Sequence, residues 1–285
     1  MTVIREALKT GLCRLRPEAL VREITVDSHG RPNGVVYRSS SGLWSELRAK
    51  LIGLAASATE TPRLLLNSKS NWFPTGLGNQ HDQVGRHIHE DQRIAVYGFF
   101  DDVVGDLQGP GPSCALDFQF EQADVPAGGI IYSGFSRLPV RMVNTVPRPE
   151  GMKSWGREFK DSYRRYFWKH IRIYRGVHGI PRERNRVDID PEVRNSNGIP
   201  AARITHRAHG WSTPQREWMA SRAKLLLKEA GAKFTLRRWV APQQARVPGN
   251  ISAGVAGWGQ ILALRSQTGP VAFTMPRMSS SAMAA

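Results

Sequence analysis

Residues 15–50 alternate apolar and polar positions in two runs separated by turn-forming residues. LVREITVD (20–27) and VVYRS (35–39) each put apolar side chains at every second position, the period of a strand with one face buried. SHGRPNG between them is rich in residues that tolerate positive φ or pre-set a turn. SGLW (41–44) then turns the chain into SELRAKLIGLAA, so the pattern predicts an antiparallel sheet. The run LIGLAA (51–56) is apolar without alternation and predicts a strand covered on both faces. TPRLLLNS follows, with Thr61 as helix N-cap and Pro62 at the first helical position. Strand, turn and helix in this order can hold a cofactor at the helix N-terminus, where backbone N–H groups are open.

Beyond residue 92 the pattern is mixed. YGFF (97–100), CALDFQF (114–120) and GGIIYSGF (128–135) predict strands, and residues 155–175 predict an aromatic-rich helix or a strand–helix pair. RVDIDP (186–191) and PAARITHR (200–207) are two short alternating strands with EVRNSNG as the turn, the pattern of a hairpin. Ser212-Thr213-Pro214 opens a helix in which Met219, Ala223, Leu226 and Ala230 share one face, and Gly231 ends it. The sum is an α/β (α+β) fold whose second part is a mainly antiparallel sheet flanked by helices.

Composition changes this picture in three places. At 285 residues the chain can bury a sizeable core in one or two domains, and it has no apolar run of membrane-spanning length. MTVIREALKTG lacks a long apolar segment and does not read as a signal peptide, which leaves location open with the cytoplasm as default. Cys13 and Cys114 have no metal spacing and imply neither zinc nor a disulfide framework. The net charge of +16 raises a basic nucleic-acid-binding module as an alternative, with RRYFWKHIRIYR (164–175) as its candidate face. The excess is scattered, however, and that cluster also fits an amphipathic element whose Arg stems cover apolar neighbours. No nucleic-acid partner is therefore expected. The last 53 residues hold six Lys or Arg and no acid, an imbalance belonging to the tail.

Several segments together resemble the glucose–methanol–choline (GMC) oxidoreductases. Ala55-Ala56-Ser57-Ala58-Thr59-Glu60-Thr61-Pro62-Arg63-Leu64-Leu65-Leu66-Asn67-Ser68 is similar to the family's AAGAxxTPxLLLxSG segment, which closes its flavin domain. Ser57 stands where the family has glycine, and Lys69 where glycine often follows the serine. ALKTG (7–11), VREITVDxxGxxxGVVY (21–37) and VGRH (84–87) also resemble the family, and NRVDIDPEVRNSNGIPAARITHR (185–207) is close to its NRVxLDPxxxDxxGxPxxRI pattern. The resemblance extends over about residues 5–235 and lies in the combination. It implies a partial FAD-binding, Rossmann-like domain (1–91) and a substrate-binding domain (92–235). FAD is the implied cofactor, with Val21, Ala56, Ser57 and Thr61 as cofactor-binding residues. A small alcohol, sugar or polyol is the implied substrate. His206 and His209 fit a surface turn better than a catalytic pair, and His87 and His89 beside Glu90 and Asp91 fit a polar exit segment better than a metal site. No residue is assigned a catalytic or metal role.

Two features of the family are absent from this sequence. No GxGxxG, whose glycines let backbone approach a pyrophosphate, occurs anywhere in it. The family's HExGTCRMGxDPxxSV, NLFVxDGS and NPTxT segments, which supply the His and His or Asn that take the alcohol proton, have no counterpart either. Residues 236–285 are expected to be an aberrant, disordered tail. Its codons admit another explanation, in which each junction supplies the third base of one codon and the first two of the next. Trp258–Gly259 then encodes Gly, Met275–Pro276 Ala and Met283–Ala284 Gly. Gln260–Ile261 gives Asp or Asn, Phe273–Thr274 His or Tyr, and Asn250–Ile251 His or Tyr; with permitted third bases the frame reads HxxGSCRMGPDPGTSVSDRxGRVHDAPNVFVGDGG, with the spacing of the missing motif. A frame slip between about Lys233 and Asn250 is the expectation. A truncated fragment of an FAD-dependent alcohol or sugar oxidoreductase follows, catalytically incompetent alone. In the intact family a His base and hydride transfer to flavin N5 divide the chemistry. An alternative is a fragment that complements a separate N-terminal half.

Overall fold

The computed structural model describes residues 2–90, 92–104, 115–118, 128–134, 143, 146–238, 252–253 and 264–265. Internal contacts divide the chain into two units: residues 1–88, 183–206 and 254–285 form the first, and 89–182 with 207–253 the second.

The first unit opens with helix α1 (Thr2–Lys9), which the sequence pattern did not single out, and continues as a three-stranded antiparallel meander. Its strands are β1 (Leu20–Val26), β2 (Pro32–Arg38) and β3 (Trp44–Arg48). The predicted turn forms because Asp27 Oδ1 accepts the backbone N–H groups of His29 and Arg31, both at 2.9 Å, while Gly30 takes φ +74°. The bond from the Arg31 backbone, with that from His29, holds the Asp27 carboxyl below its usual range.

Two expectations fail next. Only Leu51–Ile52 of LIGLAA is a strand (β4); it pairs with Leu264–Arg265 (β14), and Leu51 is 62% exposed. An apolar run marks a doubly covered strand only where layers lie on both faces, and here Leu51 has none over it. Helix α2 spans Ser57–Asn67, so it begins a full turn before the Thr61 cap that the sequence predicts and carries Pro62 inside. Ala58 packs against buried Ile88 and Val187, and this packing draws the extra turn into the helix despite the proline. Pro62 is itself buried.

The C-terminal end of α2 is tied to the meander, since Ser68 Oγ accepts Ile24 N–H at 2.8 Å. Its Leu65 and Leu66 pack with Ile24, Leu77 and Val84 as the core of this unit. The predicted hairpin is present as β10 (Arg186–Arg194) and β11 (Pro200–Thr205). Asn195 Oδ1 accepts Asn197 and Ile199 N–H at 3.0 Å, and Gly198 takes φ +76°. The hairpin reaches α2 through Arg63, whose Nε donates to Pro200 O at 2.7 Å.

The second unit is a five-stranded antiparallel sheet in the order β12-β6-β9-β8-β7. Its strands are β6 (Gln92–Phe99), β7 (Ala115–Phe118), β8 (Gly129–Ser133), β9 (His170–Val177) and β12 (Phe234–Arg238). A short pair, β5 (His89–Glu90) with β13 (Ser252–Ala253), belongs to the same unit. Residues 155–175 form helix then strand, α3 (Gly156–Tyr166) followed by β9. Helix α4 (Ser212–Glu229) covers one sheet face. Met219, Ala223 and Leu227 meet Val96, Ile131 and Val177, so the buried stripe runs through Leu227 while Ala230 caps the helix in solvent.

The architecture is the mixed α/β class, with antiparallel sheets flanked by helices. Among the described residues no helix is long and apolar enough to cross a membrane. β12 carries the second unit's sheet to Arg238, and the reading of the remaining tail falls almost wholly outside the described residues.

Candidate functional site

The start of α2 gathers three of the four residues implied for the cofactor. Ala56 precedes the helix and makes no side-chain cap hydrogen bond, Ser57 is its first residue, and Thr61 lies one turn on. An α-helix leaves its first N–H groups without intrahelical partners, and the dipole makes that end attractive to an anion. The Ser57 hydroxyl does little to close it, lying 3.4 Å from Glu60 N and 3.3 Å from Thr59 Oγ1. Glu60 in the first turn is neutralised by Arg63 Nη1 at 2.9 Å. Apart from the Glu60 N–H bond to Ser57 Oγ, this exposed helix end can face a phosphate-bearing ligand.

Ser57 has φ +79°, inside the left-handed region that favours glycine. That conformation explains in physical terms why the resembling segment has glycine there. Ser57→Gly is expected to stabilise the first unit by about 1 kcal/mol, the relieved strain exceeding glycine's entropic cost. A higher urea midpoint with unchanged slope would show it; an unchanged or lower midpoint would refute it. Val21, the fourth residue, sits on β1 opposite Tyr37, three positions before Ile24, and is 37% exposed. The structure anchors α2 to β1 at Ile24.

The Val84-Gly85-Arg86-His87 corner closes the same unit. Val84 is buried, its N–H held by Asn79 Oδ1 at 3.0 Å, and Gly85 O accepts Val187 N–H at 2.8 Å. Arg86 pairs with Asp82, which also reaches Arg186. The Arg86 hydrogen bond holds the Asp82 carboxyl below its usual range and raises the guanidinium in turn.

In the second unit the aromatic face of α3 closes a groove of about 650 Å³. Phe159, Tyr163 and Tyr166, spaced i, i+4, i+7, line it with Phe99, Phe234 and Leu236. Phe99 and Phe234 stack at 4.6 Å, and Tyr166 meets them edge-on at 5.3 and 5.5 Å. Burial pushes the Tyr163 hydroxyl above its ordinary pKa. The aromatic spacing on α3 was the available sequence signal for this groove.

RRYFWKHIRIYR does not form one basic face. Arg164 and Arg165 end α3, whereas His170 and Arg172 lie on β9 at 4% and 3% exposure, with the Arg172 guanidinium 4.0 Å from the Tyr174 ring. His206 is exposed at the end of the hairpin, and His209 Nδ1 accepts Trp211 N–H at 3.3 Å in a turn. His87 takes φ +63° and His89 opens β5, while Asp91 lies outside the described residues. Among the described residues no group of three or more His, Cys, Asp or Glu is placed to hold a metal ion.

Comparison with known proteins now bears on this arrangement. No family model matches the chain. It is 27% identical over 202 residues to 2-methyl-1,2-propanediol dehydrogenase of Mycolicibacterium austroafricanum, covering 68% of this chain and 36% of that protein. It is 23% identical over 209 residues to the fructose dehydrogenase large subunit of Gluconobacter japonicus, covering 70% of this chain and 37% of that subunit. Among solved structures, formate oxidase of Aspergillus oryzae RIB40 aligns with a TM-score of 0.48 at 12% identity, over 80% of this chain and 47% of that one. The sequence likeness to these two dehydrogenases supports the GMC-like resemblance of the chain. The chain spans little more than a third of the length of these relatives.

Proposed function

We propose that this chain supplies part of an FAD-dependent oxidoreductase acting on CH–OH groups of alcohols, sugars or polyols, and is catalytically incompetent by itself. The observation that carries the reading is the start of α2, where a left-handed Ser57 and an exposed helix end with no cap from Ala56 occur in the segment similar to the family's flavin-domain signature. That donor set fits the phosphates of a dinucleotide. Ala56, Ser57 and Thr61 would hold FAD at the helix start and Val21 would lie along its adenine half. FAD, when bound, would supply the acceptor for the hydride of the alcohol carbon. This chain's own residues would orient and neutralise: the first N–H groups of α2 would face the phosphates, and Arg63, paired with Glu60, would keep that carboxylate from repelling them. No side chain here is assigned as the base that removes the hydroxyl proton.

The expected result is weak FAD binding and no alcohol turnover. Amide exchange with FAD at millimolar concentration should show slowed exchange at residues 56–61 and along β1. Protection confined to other segments, or none, overturns the cofactor assignment. Stoichiometric flavin with turnover of an alcohol overturns the incompetence.

A further inference from the structure

Helix α3 is a ridge between two cavities of opposite chemistry. None of its residues is fully buried, and its side chains divide by position. Phe159, Tyr163 and Tyr166 are half-buried and line the apolar groove with Phe99, Phe234 and Leu236. Arg157, Lys160 and Arg164, spaced i, i+3 and i+7, form an exposed stripe along another side of the helix. With Asp161 and Gly156 this stripe lines a cleft of about 450 Å³. Asp161 also lines the groove, so the two cavities meet along the helix. Arg164 pairs with Asp161 at 3.6 Å, and the cleft sets three cations against that single carboxylate. On the groove side, the Arg148 guanidinium lies 6.0 Å from the Phe159 ring and that of Arg165 lies 5.4 Å from the Tyr166 ring, with Glu158 also lining the groove. Two tryptophans flank the helix: Trp155, immediately before it, is 67% exposed, and Trp168, just beyond it, 51%.

We propose that α3 and its flanking tryptophans dock on the surface of a bilayer that contains anionic phospholipid. The pairing of the two cavities selects this occupant. The cleft is net cationic and faces phosphate groups, while the groove beside it offers aromatic surface to an acyl chain. A nucleic acid would satisfy the basic stripe and leave the groove bare; a phospholipid satisfies both. Tryptophan, with an apolar body and a polar N–H, suits the boundary between headgroups and acyl chains. A helix that lies in this boundary needs no membrane-spanning segment. The proposal stands apart from the cofactor reading above.

The test is flotation of the full chain with vesicles of phosphatidylglycerol and phosphatidylcholine, beside vesicles of phosphatidylcholine alone. Flotation with the anionic vesicles only is expected, weakening as salt rises, with slowed amide exchange across residues 155–168. The triple substitution Arg157→Gln, Lys160→Gln, Arg164→Gln should cut the partition coefficient by about tenfold or more. Removing three exposed cations elsewhere, by Arg5→Gln, Arg14→Gln and Lys224→Gln, should leave it nearly unchanged. Bromine on the acyl chains should quench tryptophan fluorescence, and Trp155→Phe with Trp168→Phe should remove most of that quenching. Far-UV circular dichroism of each variant should match the parent. No flotation, equal flotation with neutral vesicles, equal loss from both triple variants, or quenching that survives the tryptophan substitutions would each overturn the proposal. Protection of residues 155–168 by inorganic phosphate or a short DNA duplex, without flotation, would overturn it as well.

Discussion

Gly85→Ala is expected to destabilise the first unit by about 3 kcal/mol or more, the sum of left-handed strain and overpacking. Gly85 takes φ +87°, where an L side chain is strained in any surroundings. A Cβ built there also overlaps the carbonyl oxygen of Val187, on a backbone that cannot swing aside. Val187 is fully buried and its own N–H bonds Gly85 O at 2.8 Å, so relief of the clash would break that bond. Neighbouring Val84 would be drawn out of the Leu65, Leu66 and Leu77 cluster. The measurement is the loss of hydrogen-exchange protection at Val187 and along α2, with a lower urea midpoint. A midpoint within experimental error of the parent would show that the corner yields more readily than its geometry implies.

Leu227→Ala is expected to cost the second unit about 3 kcal/mol, within the range for buried leucines that leave a cavity. Leu227 is 2% exposed and packs with Val96, Phe100 and Ala223. Its side chain also lies against Gly98, where a Cβ would meet Leu227 Cδ2 at 2.7 Å. The glycine lets α4 approach the sheet at this point, so truncating the leucine opens a void that Gly98 has no side chain to fill. Exchange protection across β6 and α4 should fall together. A change below about 1 kcal/mol would mean that the helix settles onto the sheet and closes the void.

The two hairpins were legible because their turns are chemically local. Asp27 and Asn195 bond backbone groups two and four residues on, and Gly30 and Gly198 take positive φ, so residue identity alone specifies the bend. The buried stripe of α4 was legible from its spacing, with an error of one residue at its end. The start of α2 was misplaced because Thr61-Pro62 is a strong local signal, whereas the turn before it is fixed by Ala58 packing on Ile88 and Val187. The Val187 contact joins residues more than a hundred positions apart, which no local pattern encodes. The same limit hid the groove, since Tyr166 and Phe234 meet across nearly seventy residues. In the candidate site, the similar segment located Ala56, Ser57 and Thr61 on one helix start, but nothing in it announced the left-handed backbone of Ser57.

The hairpin of residues 183–206 belongs to the first unit although most of the second unit is encoded before it. During synthesis the meander and α2 therefore emerge without the strands that Gly85, Arg63 and Ala58 pack against. At a ribosomal pace of roughly 5–20 residues per second, the corner at Gly85 waits about 5–20 s for Val187 to appear. A gene segment cut after residue 91 would leave that wait unending, with Gly85 O, Leu65 and Ala58 lacking their late-arriving neighbours. The order of translation keeps the first unit open until residues 183–206 are made, and the second until α4 and β12 follow them.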